Sequence, residues 1–284
     1  MRSVGVAFTL LSILCVLIAF LLAKPEKWHG AGGASLIGEE RITDAASARN
    51  LAERMVLEAT DIWAQPSSQW ATVSEGDKGL AFGGAADARS GALLTEAIRI
   101  DHGDFARSGV LLTRARGVIT DASADATIRH LVSAEGFAII DPMSDPTDFA
   151  KYHEKFPWRG GARLEVADAH AAIPGFAPRE FSVLNAIDVK SGVFVSKSIL
   201  HASKPGGSEF NAHGLPPPPN GTVRALNTFA VRATPLGANS CSVEMINFAH
   251  LGGSFPWSVT NLINGGFLNG VYERLQTAMS SIGA

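Results

Sequence analysis

Hydrophobic and polar positions alternate through much of the last third of the chain, and the spacing becomes helical near the C-terminus. A period of about two residues is typical of strands with one buried face. After Pro256, apolar residues recur three and four positions apart, which predicts an amphipathic helix of about five to seven turns. The alternating pattern predicts strands over residues 162–169, 181–189, 193–201, 222–233 and 240–249.

The first half of the chain begins with a helical pattern. Leu51, Met55 and Ile62 share one side of a predicted helix over residues 44–63, and Pro66 ends it. Residues 85–107 stay unassigned. Helices followed by a run of antiparallel strands and one long helix indicate an α+β fold. Further predicted elements are helices over 124–132 and 147–156, and strands over 70–73, 79–82 and 110–119.

The N-terminus carries an uncharged apolar run over residues 4–23. Twenty helical residues span about 30 Å, which is the thickness of a bilayer core. We therefore predict a transmembrane signal-anchor within residues 1–27, with a cleaved signal peptide as the alternative. A Gly-rich linker over 28–43 and one domain over 44–284 follow.

The positive charges on the two sides of this run are too similar to determine its orientation in the membrane. Arg2 precedes the run, and Lys24 and Lys27 follow it. We expect the protein to be anchored in a membrane by this single helix, with the domain on the cytosolic side. The lumenal side remains open.

Composition narrows the function classes. The net charge of −3 argues against a nucleic-acid partner, because such proteins need a basic surface. The chain shows no zinc-type spacing of Cys and His, no phosphate-binding P-loop and no Gly-x-Ser-x-Gly motif. We expect neither a metal nor a cofactor.

Three short motifs in the last third of the chain share the order and spacing of a known family. They are Pro178-Arg179-Glu180-Phe181, Val223-Arg224-Ala225 and the turn from Leu251 to Trp257. Together with the terminal helix they make the chain resemble the steroidogenic acute regulatory-related lipid transfer (START) family. The resemblance implies a helix-grip fold, in which a curved antiparallel sheet wraps around a long C-terminal helix and encloses an apolar tunnel.

The same resemblance implies a function. The protein would bind a single lipid and transfer or sense it at membranes, without being an enzyme. The resemblance does not specify the lipid class, so a phospholipid, a sterol and another apolar lipid are all candidate ligands. Sterol-carrying members often have a charged pair in the tunnel, but Asn185 and Val166 stand at those two places. We therefore expect a more apolar cavity, with Asn185 as a hydrogen-bonding residue.

We predict that the lipid contacts side chains on the strands and on the terminal helix. Alternation lets one face of each strand line a cavity. The predicted lipid-binding residues are Phe181, Val183, Asn185, Phe194, Ile199, Arg224, Leu226, Val243, Met245, Asn247, Val259, Leu262, Ile263 and Phe267.

An enzyme on the related helix-grip fold is the alternative. A cyclase or hydrolase acting on an apolar substrate would need titratable side chains turned into the same cavity. The candidates are His170, His201, Glu244 and His250, which form no recognisable catalytic constellation.

Overall fold

The computed structural model describes residues 27–28, 40–72, 93–100, 110–133, 136, 151–171, 176–201, 221–252 and 257–283. Within these ranges, no helix combines the length and the apolar character needed to cross a membrane. The predicted anchor over residues 4–23 and the predicted strand over 79–82 lie outside the described residues.

Twelve strands in the described part of the chain form one sheet. Nine of them follow the order β1-β4-β5-β12-β11-β9-β8-β7-β6, and every neighbouring pair after β1–β4 is antiparallel. The bounds are β1 Lys27–Trp28, β2 Glu40–Ile42, β3 Ala71–Thr72, β4 Leu94–Ile100, β5 Leu111–Thr120, β6 Lys151–Pro157, β7 Arg163–Ala171, β8 Arg179–Asp188, β9 Val193–His201, β10 Val223–Arg224, β11 Leu226–Gly237 and β12 Ser240–His250.

Three α-helices accompany the sheet in the described residues. They are α1 Ala45–Ala64, α2 Ala124–Leu131 and α3 Trp257–Gly283. Asp44 caps α1, because its carboxylate accepts the backbone N–H of Ser47 at 2.7 Å. This hydrogen bond is the main cause that lowers the pKa of Asp44. The predicted α+β class and the long terminal helix are confirmed.

Two local predictions differ from the structure. The helix predicted over 147–156 is wrong from Lys151 onward, where the chain forms β6 and pairs with β7. The ladder of hydrogen bonds to β7 outweighs the helical spacing of this segment, because propensity alone is a weak force. The predicted linker also contributes to the sheet, since Glu40–Ile42 pairs in parallel with the end of β9.

The sheet is covered on both faces. We call the face that α1 covers the outer face, where Leu51, Met55 and Ile62 join one apolar core cluster. We call the face that α3 covers the inner face, where Leu268, Val271 and Leu275 join a second cluster. The outer cluster takes Leu164, Val166, Leu184, Ala186, Val195, Ile199, Ala230 and Ile246 from the strands, and the inner one takes Ala115, Ile187, Phe194, Phe229, Val231, Val243 and Met245.

A buried ion pair fixes the end of α1 on the outer face. Arg114 donates to Glu96 at 2.7 Å, and both side chains are almost fully buried. The same guanidinium donates to the carbonyls of Ile62 at 3.0 Å and Gln65 at 2.8 Å, and it lies 4.1 Å from the ring centroid of Trp70. Arg114 thus satisfies carbonyls that the end of a helix leaves without partners.

Polar side chains fix α3 to the inner face. Asn261 accepts the backbone N–H of Leu111 at 2.8 Å, and Asn269 accepts the hydroxyl of Thr95 at 2.7 Å. Farther along, the hydroxyl of Tyr272 donates to the carbonyl of Val118 at 2.6 Å. These bonds set the rotation of the helix, so that its apolar residues face the strands.

Candidate functional site

A row of mostly polar residues crosses the inner face. Its members lie directly opposite one another on successive strands, so their side chains project from the same face. The structure identifies this face at Asn185, because its neighbours Leu184 and Ala186 pack in the outer cluster. From β7 to β5 the row contains Glu165, Asn185, Ser196, Phe229, Asn247 and Thr113.

Apolar residues occupy the inner face beside this polar row. The rings of Phe194 and Phe229 meet edge to face with centroids 6.1 Å apart, and Phe267 of α3 meets Phe229 in the same way at 5.5 Å. Met245 is fully buried in the same cluster. The flexible thioether can adjust its packing to an irregular apolar ligand, and the three rings supply a large apolar surface.

Most of the predicted lipid-binding residues that the structure describes share this face. Alternation and register place Phe181, Val183 and Asn185 there from β8, Phe194 from β9, and Val243, Met245 and Asn247 from β12. Phe267 meets them from α3, and Ile263 of the same helix is half-buried. Whether these residues contact a lipid stays a prediction.

Two predicted residues lie on the opposite face. Ile199 and Leu226 pack with the outer cluster, away from Phe194 and Phe229 on the same strands. Each is an odd number of residues from the phenylalanine on its strand, and an odd step reverses the face. The structure therefore does not bring them together with the other candidates. The side chains of Arg224, Val259 and Leu262 lie outside the described part of the structure.

Asn247 takes part in fixing the helix. Its amide donates to the side-chain oxygen of Asn264 at 3.3 Å, and the amide of Asn264 donates to the carbonyl of Ala249 at 3.1 Å. Thr113 donates to the backbone carbonyl of Asn247 at 3.1 Å. Asn247 therefore positions α3 against β5 and β12, in addition to its predicted role.

The predicted site residues include only Asn185 and Asn247 of the polar row, and the most consequential omission is Glu165. It lies opposite Asn185 and is 2 % exposed, whereas Val166 packs on the outer face. Its Oε1 accepts from Nε of Arg163 at 2.9 Å and lies 3.4 Å from Nζ of Lys155. Its Oε2 is buried and has no hydrogen-bond partner among the described residues.

The finding at Glu165 corrects the expectation that this face lacks a carboxylate. The choice of Val166 as the position of the family's carboxylate ignored the register between β7 and β8. This register places the side chain of Glu165, one residue earlier, on the inner face. Strand parity alone shows only that Glu165 and Val166 project from opposite faces, and the pairing with β8 decides which of the two faces is the inner one.

Of the titratable residues considered for an enzyme, the two whose side chains the structure describes, Glu244 and His250, do not lie on the inner face. Glu244 projects from the outer face, where it accepts from Nε of Arg232 at 2.8 Å. His250 is half-buried at the end of β12, and burial lowers its pKa. The side chains of His170 and His201 lie outside the described part. Within that part, no group of three His, Cys, Asp or Glu residues could hold a metal ion.

The three sequence motifs meet at one end of the sheet. Val223 and Arg224 pair in parallel with Arg179 and Glu180 at the start of β8. Arg179 is buried and donates through Nε to the carbonyl of Leu251 at 2.9 Å, just before α3. Burial lowers the pKa of this guanidinium. The motifs thus join β8, β10 and Leu251, which follows β12.

Comparison with solved structures gives the same fold. The chain is similar to human StAR-related lipid transfer protein 5, with a TM-score of 0.57 and 15 % identity over 85 % of this chain and 100 % of the other. Human STARD10 follows with a TM-score of 0.51 and 13 % identity over 88 % and 83 %. The lipid transfer and protein localization domain of human StarD13 has a TM-score of 0.50 and 16 % identity over 81 % and 96 %.

At these identities the likeness establishes the fold. Neither a family model nor a curated protein sequence matches the chain. The order of strands, the terminal helix and the solved structures together define a START fold, as the three motifs predicted.

Proposed function

We propose that this protein binds a single lipid between the inner face of the sheet and α3, and that it transfers or senses this lipid at membranes without catalysing a reaction. The observation that carries the proposal is the START fold, whose inner face here joins an apolar cluster to a polar row. Exposing a lipid to water costs about 25 cal/mol per Å² of apolar surface. Apolar side chains that contact the lipid in place of water remove much of this free-energy cost.

The polar row suits the polar end of the lipid. Asn185 and Ser196 are buried side by side, with the apolar cluster next to them at Phe194 and Phe229. A ligand with one polar end and a long apolar part would match both regions at once. Of the residues considered for a cyclase or hydrolase, Glu244 projects from the outer face and therefore does not support that alternative.

The first test is the lipid content of the purified full chain. We expect mass spectrometry of gently extracted protein to detect bound lipid in a stoichiometric amount, and mixing with vesicles to exchange it. An unrelated membrane-anchored protein purified in the same way controls for carried-over membrane. A chain that co-purifies with no lipid and takes none from vesicles would contradict the proposed function.

We also propose that residues 4–23 anchor the protein in a membrane. The support is the uncharged run of twenty residues, which is long enough to span a bilayer core of about 30 Å. The full chain should stay in the membrane pellet during alkaline carbonate extraction, whereas a variant that lacks residues 1–27 should not. Release of the intact full chain by carbonate would refute the anchor.

A further inference from the structure

The proposed anchor lies close in sequence to an edge of the sheet. Residues 4–23 are followed by three residues and then by β1, which pairs in parallel with Arg99 and Ile100 at the end of β4. An extended chain spans at most about 3.5 Å per residue, so the step from residue 23 to Lys27 covers about 14 Å at most. The end of β4 is therefore held within about 14 Å of the bilayer that carries the anchor.

The strand β3 occupies the neighbouring part of the same edge. Ala71 and Thr72 of β3 pair with Ala97 and Glu96 of β4, and β1 uses the same edge because β5 occupies the other one. This stretch of the edge is thus closed to the chain that precedes β1. We therefore expect the path to the anchor to start from the end of β4 and not to run back along its edge.

The end of β4 belongs to one end of the whole sheet, which we call the anchor end. Arg99 lies opposite Leu111 at the start of β5, and Thr113 lies opposite Asn247 near the end of β12. The helix α3 begins here as well, since Asn261 accepts the backbone N–H of Leu111 at 2.8 Å. The proposed anchor thus joins the domain at the end where α3 begins.

The opposite end of the sheet, which we call the far end, contains the turn between β11 and β12. There Ser240 lies opposite Thr120 at the end of β5, and the amide of Gln276 on α3 donates to the hydroxyl of Thr120 at 2.9 Å. The 11 residues of β12 rise about 3.3 Å each, so the two ends are about 33 Å apart. If the far end faced the bilayer, the end of β4 would lie beyond the reach of about 14 Å.

We infer that the anchor end of the sheet faces the bilayer in which the protein is anchored, and that the protein takes up its lipid from this bilayer. The inference rests on the proposed anchor and on the proposed lipid binding. It holds on whichever side of the membrane the domain lies. A domain held this closely cannot travel to a separate membrane, so it exchanges lipid with its own.

The pairing of β1 with β4 sets the short reach. Without it, the first described segment after the anchor that pairs with the sheet is β2, in which Glu40 lies opposite Ile199 of β9. The step from residue 23 to Glu40 covers about 60 Å at full extension. Loss of the β1 pairing would therefore keep the protein in the membrane but free the domain to turn and to move away.

Energy transfer from a label at each end to acceptor lipids tests the orientation on the full chain in vesicles. Phe176→Cys and Leu236→Cys supply the labelling sites, because these side chains are 47 % and 61 % exposed. Phe176 lies three residues before Arg179, which donates to the carbonyl of Leu251 at the anchor end. Leu236 lies near the end of β11, at the far end.

The label at position 176 should transfer energy to the bilayer several-fold more efficiently than the label at position 236, because transfer falls steeply with distance. Acceptors in both leaflets make the result independent of the side on which the domain lies. Cys241 is fully buried and Cys15 lies within the proposed anchor, so the parent chain treated with the same label gives the background.

Two variants with a longer reach assign the orientation to β1. Lys27→Pro combined with Trp28→Pro removes the backbone N–H groups that β1 can donate to the sheet. Insertion of about twenty Gly and Ser residues after Lys24 leaves β1 intact and adds about 25 Å on average. Both variants should lose most of the difference between the two labels. Ala31→Pro, outside β1, is the matched control and should keep it.

A photoreactive lipid tests the source of the bound lipid. It is placed either in the vesicles that carry the protein or in separate vesicles, and only crosslinks within residues 151–283 are counted, so that contacts of the anchor do not contribute. The parent chain should give several-fold more crosslinks with the lipid of its own vesicles than with that of separate vesicles.

The outcomes separate this inference from the proposals on which it rests. Equal transfer from the two labels, more transfer from position 236, or equal crosslinking from both sources would overturn it, while the anchor and lipid binding stand. An unchanged difference in the insertion variant would also overturn it, and that variant decides if the double proline variant does not fold. Release of the parent chain by carbonate would refute the anchor, and this inference with it. A chain that takes lipid from neither source would contradict the proposed function and the uptake inferred here.

Discussion

Replacing Arg114 by methionine should lower the free energy of unfolding by about 3–5 kcal/mol, because the change leaves the carboxylate of Glu96 buried without its partner. The variant also loses the hydrogen bonds to the carbonyls of Ile62 and Gln65 at the end of α1. Burial is the main cause that lowers the pKa of Arg114, and its interaction with Glu96 opposes the shift. Urea denaturation of the purified protein measures the effect.

Two control variants distinguish the effect of breaking the buried ion pair from the effect of removing a single surface charge. Arg129→Met removes a guanidinium that is 67 % exposed and pairs with Asp125 on α2, so it should cost no more than about 0.5 kcal/mol. The double variant Arg114→Met with Glu96→Leu should be more stable than the single variant, because no unpaired charge remains. A single variant within about 1 kcal/mol of the parent would show that Arg114 does not fix α1.

The sequence predicted the elements whose pattern depends on local spacing. Residues 44–63 match α1 to within a residue at each end, because Asp44 caps the helix and the chain turns before Pro66. The strong alternation after residue 162 likewise predicted β7, β8, β9 and β12. The START resemblance then arranged these elements correctly, although identity to the solved structures is only 13–16 %.

The errors have a different physical origin, since they depend on pairing between distant segments. Lys151–Pro157 forms a strand because β7 is available to pair with it. The face of a residue depends on register, so the apolar character of Ile199 and Leu226 could not assign them to the inner or the outer face. Both faces of this sheet are covered, and apolar side chains therefore occur on both. Glu165 was missed for the same reason.

Replacing Met245 by arginine should abolish lipid binding. Met245 is fully buried on the inner face, directly opposite Val231 on one side and Ala115 on the other, so no acidic partner stands beside it in register. An unpaired guanidinium in this apolar cluster is strongly disfavoured and should also destabilise the fold. Equilibrium binding of a fluorescent lipid and urea denaturation measure the two effects on the same preparation.

A variant at the neighbouring residue distinguishes a direct effect on lipid binding from a general loss of stability. Ile246 is as deeply buried as Met245, but it faces the outer cluster under α1. Met245→Ala and Ile246→Ala should each cost about 2–5 kcal/mol. If lipid occupies the inner face, only Met245→Ala should change lipid affinity, and Met245→Leu should preserve both affinity and stability because it conserves volume. Equal loss of affinity in the two alanine variants would mean that binding follows stability, and the lipid would then have to be sought elsewhere than beside Met245.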